Sequence, residues 1–186
     1  MIRRLIPNAL TILRFLLVPV FMYFLFVSQN KNQVLISLII FIVAALTDYV
    51  DGTLARKWNV VSDFGKIMDP LADKFLVLTA LAGLCWLPPY NLNNVIFFVV
   101  LAREILISVL REVQQRRGIV VAADSLGKLK TVMQMIGITF ALGTWALLPR
   151  IGKNLFTAVN IWFWLIVVIT IASGFNYIRV MYKKGA

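Results

Sequence analysis

Asp48, Asp51, Asp69 and Asp73 are the residues of this sequence best placed to do chemistry. Asp48 and Asp51 are three apart and Asp69 and Asp73 four apart, so on helices each pair shares a face. Arg56, Lys57 and Lys66 lie in or beside the connection between them. A helical hairpin would bring the two pairs together. Four carboxylates gathered at membrane depth repel one another and are costly to desolvate. One or two hard divalent cations relieve both costs, and an oxygen-only donor set fits Mg²⁺, with Mn²⁺ as the alternative. The sequence has no histidine and a single cysteine, Cys85. That excludes Ser-His-Asp and Cys-His chemistry, histidine-ligated zinc, an internal disulfide and a thiolate metal cluster. A plain salt-bridge network, Asp48 and Asp51 with Arg56 and Asp73 with Lys74, is the competing explanation. It does not account for the small residues on the same faces: Gly52 after Asp51, Ala55 before Arg56, and Gly65 four before Asp69. Such positions let a flat group or a neighbouring backbone approach closely. Pro70 either sits in the first turn of a helix capped by Asp69 or interrupts one that begins near Ser62, as the spacing of 65, 69 and 73 favours.

The elements that carry these residues are apolar. The chain of 186 residues is 61% hydrophobic and 15% charged, with mean hydropathy +0.87. Soluble domains hold about 25% charged residues, so a soluble fold and disorder are both excluded. Six apolar stretches, at about 9–28, 34–56, 67–88, 94–114, 128–149 and 155–180, approach the roughly 20 residues that cross a bilayer as a helix. The expected fold is all-α, six transmembrane helices in one domain over 1–186, preceded by a short interfacial segment holding Arg3 and Arg4. Trp86, Tyr90, Trp145, Trp162 and Trp164 are expected in an outer aromatic belt.

Lys and Arg set the orientation. Arg3, Arg4, Arg56, Lys57, Lys66, Arg116, Arg117, Lys183 and Lys184 fall on one side, and Lys31, Arg150 and Lys153 on the other. The first side should face the cytoplasm, with both termini there. All eight acids lie between positions 48 and 124, at or near cytoplasmic helix ends. The net charge of +11 in so apolar a chain points to anionic lipids or substrates rather than nucleic acid.

From Asp48 to Asp73 the sequence matches every fixed position of DxxDGxxARx8GxxxDxxxD, and so resembles the CDP-alcohol phosphatidyltransferases. The resemblance implies six transmembrane helices, a homodimer, divalent metal at the four aspartates, with two ions expected, and transfer of a phosphatidyl group from CDP-diacylglycerol to an alcohol with release of CMP. It makes Asp73 both ligand and general base, and places CDP-diacylglycerol against Asp48, Gly52, Ala55, Arg56 and Gly65. The segment from Ile6 to Thr11 with Arg14 and Pro19, the run Asp69–Lys74, Arg103-Glu104-Ile105, Arg111 and Gly127–Thr131 are similar to the bacterial phosphatidylglycerophosphate synthase branch. That branch implies glycerol 3-phosphate as acceptor.

A second phosphate needs a basic pocket. Arg103, within the fourth apolar stretch, Arg111 two turns on, and Lys128 and Lys130 at the start of the fifth are the candidates. Glu104 is set aside as Arg103's partner, because adjacent helical side chains do not face each other. Snorkelling or lipid contact is the competing account of these cations. Asn8, Thr11 and Arg14 form one polar stripe at three-residue spacing. Pocket lining, or a helix cap with a snorkelling arginine, explains it equally well. Sister enzymes taking inositol phosphate, serine or phosphatidylglycerol are the near alternatives. A divalent-cation transporter is the distant one, and the acid-free outer halves argue against it.

Single cysteines test the orientation. Lys31→Cys and Arg117→Cys, each with Cys85 replaced, are expected to label from opposite faces of sealed vesicles. Labelling of both from one face would defeat the topology.

Overall fold

In the computed structural model, backbone is described for residues 2–27, 30–58, 63–116 and 125–185, and side chains for 12–27, 30–47, 71, 72, 74–116 and 125–181. Among these residues the fold is all-helical: α1 (Ile2–Phe26), α2 (Lys31–Trp58), α3 (Asp63–Trp86), α4 (Asn94–Arg116), α5 (Ser125–Leu147) and α6 (Lys153–Gly185).

Local chemistry sets several helix starts. Asn30 precedes α2, and its carbonyl accepts the N–H groups of Gln33 and Val34, each at 2.9 Å. The Asn93 side chain caps α4 by accepting the Val95 N–H at 2.9 Å. Between α3 and α4 the chain turns through Pro88, Pro89 and Asn91, whose φ of 41° is a conformation asparagine tolerates better than most residues. Within the helices, Ser37, Thr47 and Thr144 turn their hydroxyls back onto carbonyls three or four residues earlier, which satisfies these hydroxyls within the helix.

One expectation changes: the segment holding Arg3 and Arg4 is not separate from the first apolar run, because α1 is continuous from Ile2 through Pro7 and Pro19. Each proline removes one backbone donor, but the apolar helix formers around it carry the helix through. The helix α3 begins at Asp63 and passes through Pro70, the continuous helix that the spacing of 65, 69 and 73 favours, so Asp69 lies inside it rather than capping it.

Contacts gather the chain into two compact units, Met1–Gly83 with Thr139–Arg150, and Leu84–Ile138 with Ile151–Ala186. In the first, Phe21 of α1 and Phe41 of α2 pack with ring centroids 6.0 Å apart. Leu25 of α1 lies so close to Gly83 of α3 that a Cβ there would sit 2.5 Å from Leu25 Cδ2. The Lys31 ammonium donates to the Leu148 carbonyl at 2.7 Å, placing the start of α2 and the end of α5 at one end of the unit. In the second unit, Trp162 of α6 lies on Gly137 of α5 and donates its indole N–H to the Met133 carbonyl at 3.1 Å.

Of the aromatics expected in the outer belt, Trp86 and Trp164 are exposed, Tyr90 and Trp145 are buried inside the protein, and Trp162 docks on α5 at Gly137. Every helix nevertheless exposes large apolar side chains, including Leu16, Leu46, Phe75, Phe98, Phe140 and Phe175. One described helix segment, Lys153–Met181, is long and apolar enough by itself to cross a membrane; Ile12–Phe26, Lys31–Thr47 and Lys74–Trp86 are shorter apolar stretches.

Gly137 is the tightest point of the second unit. An alanine Cβ would fall 2.6 Å from Trp162 Nε1. Gly137→Ala should therefore cost about 1–3 kcal/mol from overpacking and lower the melting temperature in detergent. Gly143→Ala, whose Cβ would meet Leu38 at an ordinary 3.8 Å, should be neutral or slightly stabilising. Equal melting temperatures for the two variants would contradict this packing.

Candidate functional site

The motif residues ride on two consecutive helices. The helix α2 carries Asp48, Asp51, Gly52, Ala55 and Arg56, and α3 carries Gly65, Asp69 and Asp73. Their side chains lie outside the described residues, as do those of Asn8 and Thr11 on α1. Among the described residues no group of three or more His, Cys, Asp or Glu gathers elsewhere. Among the described residues Arg14 is the largest fully buried side chain, 1% exposed, so it is enclosed by protein rather than extended along the surface.

The second group of candidates is described in full, within the second unit. Arg103 on α4 and Lys130 on α5 converge on Glu104. Arg103 Nη1 donates to Glu104 Oε1 at 3.1 Å, and the Lys130 ammonium donates to the same oxygen. Arg103 Nη2 reaches across to α6 and donates to Ser173 Oγ at 3.3 Å. Ser173 Oγ in turn donates to the Thr170 carbonyl at 3.0 Å. All three charged groups are withdrawn from the surface, with side chains 16%, 14% and 4% exposed for Arg103, Glu104 and Lys130. Arg103 Nε is buried with no hydrogen-bond partner among the described residues.

Two glycines flank the Arg103 side chain at ordinary contact distance. A Cβ on Gly127 would stand 3.5 Å from Arg103 Nη2, and one on Gly174 would stand 3.8 Å from Arg103 Cγ. Arg103 therefore lies between the first turn of α5 and the middle of α6. The start of α5 carries the positive end of its macrodipole and unpaired N–H groups. Together with Arg103 and Lys130 it suits a phosphate. Arg111 and Lys128 are exposed and lie outside the trio. A further ion pair joins Arg116 to Glu112 at 2.9 Å on the exposed end of α4.

Glu104 corrects the sequence reading. Adjacent helical side chains leave the backbone in different directions, but Arg and Glu are long enough for their tips to meet around the helix surface. Ser173 was not singled out either. Its signal is faint: a small polar residue next to Gly174 in an otherwise apolar run.

Comparisons with known proteins agree with the motif. Residues 4–172 match the family model of the CDP-alcohol phosphatidyltransferases. A Rickettsia typhi protein named CDP-diacylglycerol–glycerol-3-phosphate 3-phosphatidyltransferase is 34% identical over 176 residues, covering 94% of this chain and 95% of that protein. A Bacillus subtilis protein of the same name is 36% identical over 185 residues, covering 92% of each. With nearly its whole length matched, the chain belongs to the CDP-alcohol phosphatidyltransferase family.

Proposed function

We infer that this chain transfers the phosphatidyl group of CDP-diacylglycerol to glycerol 3-phosphate, giving phosphatidylglycerol phosphate and CMP. Family membership and the names of its full-length relatives support the reaction. The observation in this chain that favours a phosphorylated acceptor is the gathering of Arg103 and Lys130 beside the first turn of α5. A phosphate monoester dianion uses two cations and a helix N-terminus, whereas free glycerol has no anionic group and serine only a singly charged carboxylate beside its own ammonium.

The chemistry is a displacement at phosphorus. The primary hydroxyl of glycerol 3-phosphate forms a bond to the phosphorus that carries the diacylglycerol oxygen. The bond from that phosphorus to the CMP oxygen breaks, and the electron pair leaves with CMP. We assign the hydroxyl proton to Asp73, because an alcohol is a weak nucleophile at neutral pH and gains from a positioned acceptor. Arg56 is assigned to the diphosphate, Gly52, Ala55 and Gly65 to close approach of the nucleotide, and Arg103, Arg111, Lys128 and Lys130 to the acceptor phosphate. Asn8, Thr11 and Arg14 are assigned to the pocket wall.

Four carboxylates on consecutive helices, in a chain without histidine, form an all-oxygen donor set that suits Mg²⁺ or Mn²⁺. Asp48, Asp51, Asp69 and Asp73 would hold the metal, two ions being the expected number. Bound there, it supplies charge neutralisation on the diphosphate and orients the reacting groups.

The same proposal makes the protein a six-span, single-domain homodimer of the cytoplasmic membrane, with both termini and the site facing the cytoplasm. Large apolar side chains exposed on all six helices support lipid around each of them. The Lys/Arg asymmetry supports the orientation.

Asp73→Asn keeps the shape but removes the proton acceptor and one charge. Turnover should fall about 100-fold or more, the magnitude of general-base catalysis. CDP-diacylglycerol should still bind in the presence of Mg²⁺, whereas Asp48→Asn and Asp51→Asn should weaken that binding. EDTA should abolish CMP release from the unsubstituted protein, and Mg²⁺ or Mn²⁺ should restore it. Near-normal turnover of the Asp73 variant would remove it from the mechanism.

A further inference from the structure

We propose that Glu104 is a positioning residue for the acceptor phosphate: its carboxylate holds Arg103 and Lys130 at the spacing a phosphate monoester needs. The proposal rests on the glycerol 3-phosphate reading above. Its ground is the way the three groups are built. One carboxylate oxygen, Glu104 Oε1, takes both Arg103 Nη1 and the Lys130 ammonium. These cations come from different helices, α4 and α5, and both are largely withdrawn from solvent. Two like charges drawn together in such a setting repel strongly, and a carboxylate between them cancels that repulsion. The trio keeps a net charge of +1, so an arriving dianion still finds an attractive site.

Glu104 also fixes which donors remain for the ligand. It occupies Arg103 Nη1, and Ser173 receives Nη2. These two hydrogen bonds orient the guanidinium, with Nη2 beside Gly127 and the side-chain stem beside Gly174, and Nε has no partner among the described residues. An acid in this position acts through the cations and needs no contact with substrate.

The experiment is steady-state kinetics on the full-length protein in detergent micelles, varying glycerol 3-phosphate and CDP-diacylglycerol separately. Glu104→Gln retains an acceptor oxygen and loses the charge. It should raise KM for glycerol 3-phosphate about tenfold or more, the loss expected for charge-assisted hydrogen bonds. The KM for CDP-diacylglycerol should stay within twofold, and so should kcat. Glu104→Asp should recover part of the loss. In a Lys130→Ala background, Glu104→Gln should add much less than it does alone, because the partner through which it acts is gone.

A lower KM for glycerol 3-phosphate in Glu104→Gln would overturn the proposal, since Glu104 would then be competing with the phosphate for the cations. An unchanged KM would overturn it too. Equal damage to both substrates and to kcat, with full additivity against Lys130→Ala, would make Glu104 a structural residue only. Failure of the unsubstituted protein to use glycerol 3-phosphate would overturn the acceptor reading itself, and is read before any variant.

Discussion

A charged group carried on an apolar helix must be compensated where it sits. In this chain of 61% hydrophobic residues that constraint governs where the charges fall and what surrounds them. An isolated carboxylate or guanidinium at membrane depth costs several kcal/mol. The second unit shows the compensation directly. Glu104 meets two cations from two helices, and Ser173 takes a further donor. The four aspartates of α2 and α3 face the same constraint with the opposite sign. Too few cations accompany them on these helices to balance both pairs and a diphosphate, which is why a divalent metal completes the proposed mechanism.

In the proposed mechanism that compensation gives the two substrates distinct recognition chemistry. Carboxylates, small residues and Arg56 suit a nucleotide diphosphate brought with metal. Two cations sharing one carboxylate beside a helix start, with net charge +1, suit a phosphate monoester. Both sets sit on helices rather than loops, so their spacing is inherited from helical geometry. The apolar faces are held by equally specific contacts, Leu25 on Gly83 and Trp162 on Gly137, where a missing side chain lets helices approach.

Much of this was legible in the sequence. Six long apolar runs foretold six helices, and the aspartate spacing pointed to the family that the comparisons identify. Helix ends were less legible. Asn30 moves the start of α2 back to Lys31, and α1 absorbs the residues before its apolar run because Pro7 does not end it. Glu104 was missed because the rule against adjacent contacts describes the directions in which side chains leave the backbone, not how far their tips reach. That Tyr90 and Trp145 are buried was not legible, because composition gives an average preference of aromatics while burial is decided by the neighbours each ring meets.

The most direct test of the account is CMP release by the purified protein from CDP-diacylglycerol and Mg²⁺, measured with glycerol 3-phosphate, glycerol, serine, inositol, inositol phosphate and phosphatidylglycerol in turn. The account predicts rapid release and a phosphatidylglycerol phosphate product with glycerol 3-phosphate, and little or none with the others. Equal rates with glycerol and glycerol 3-phosphate would contradict it.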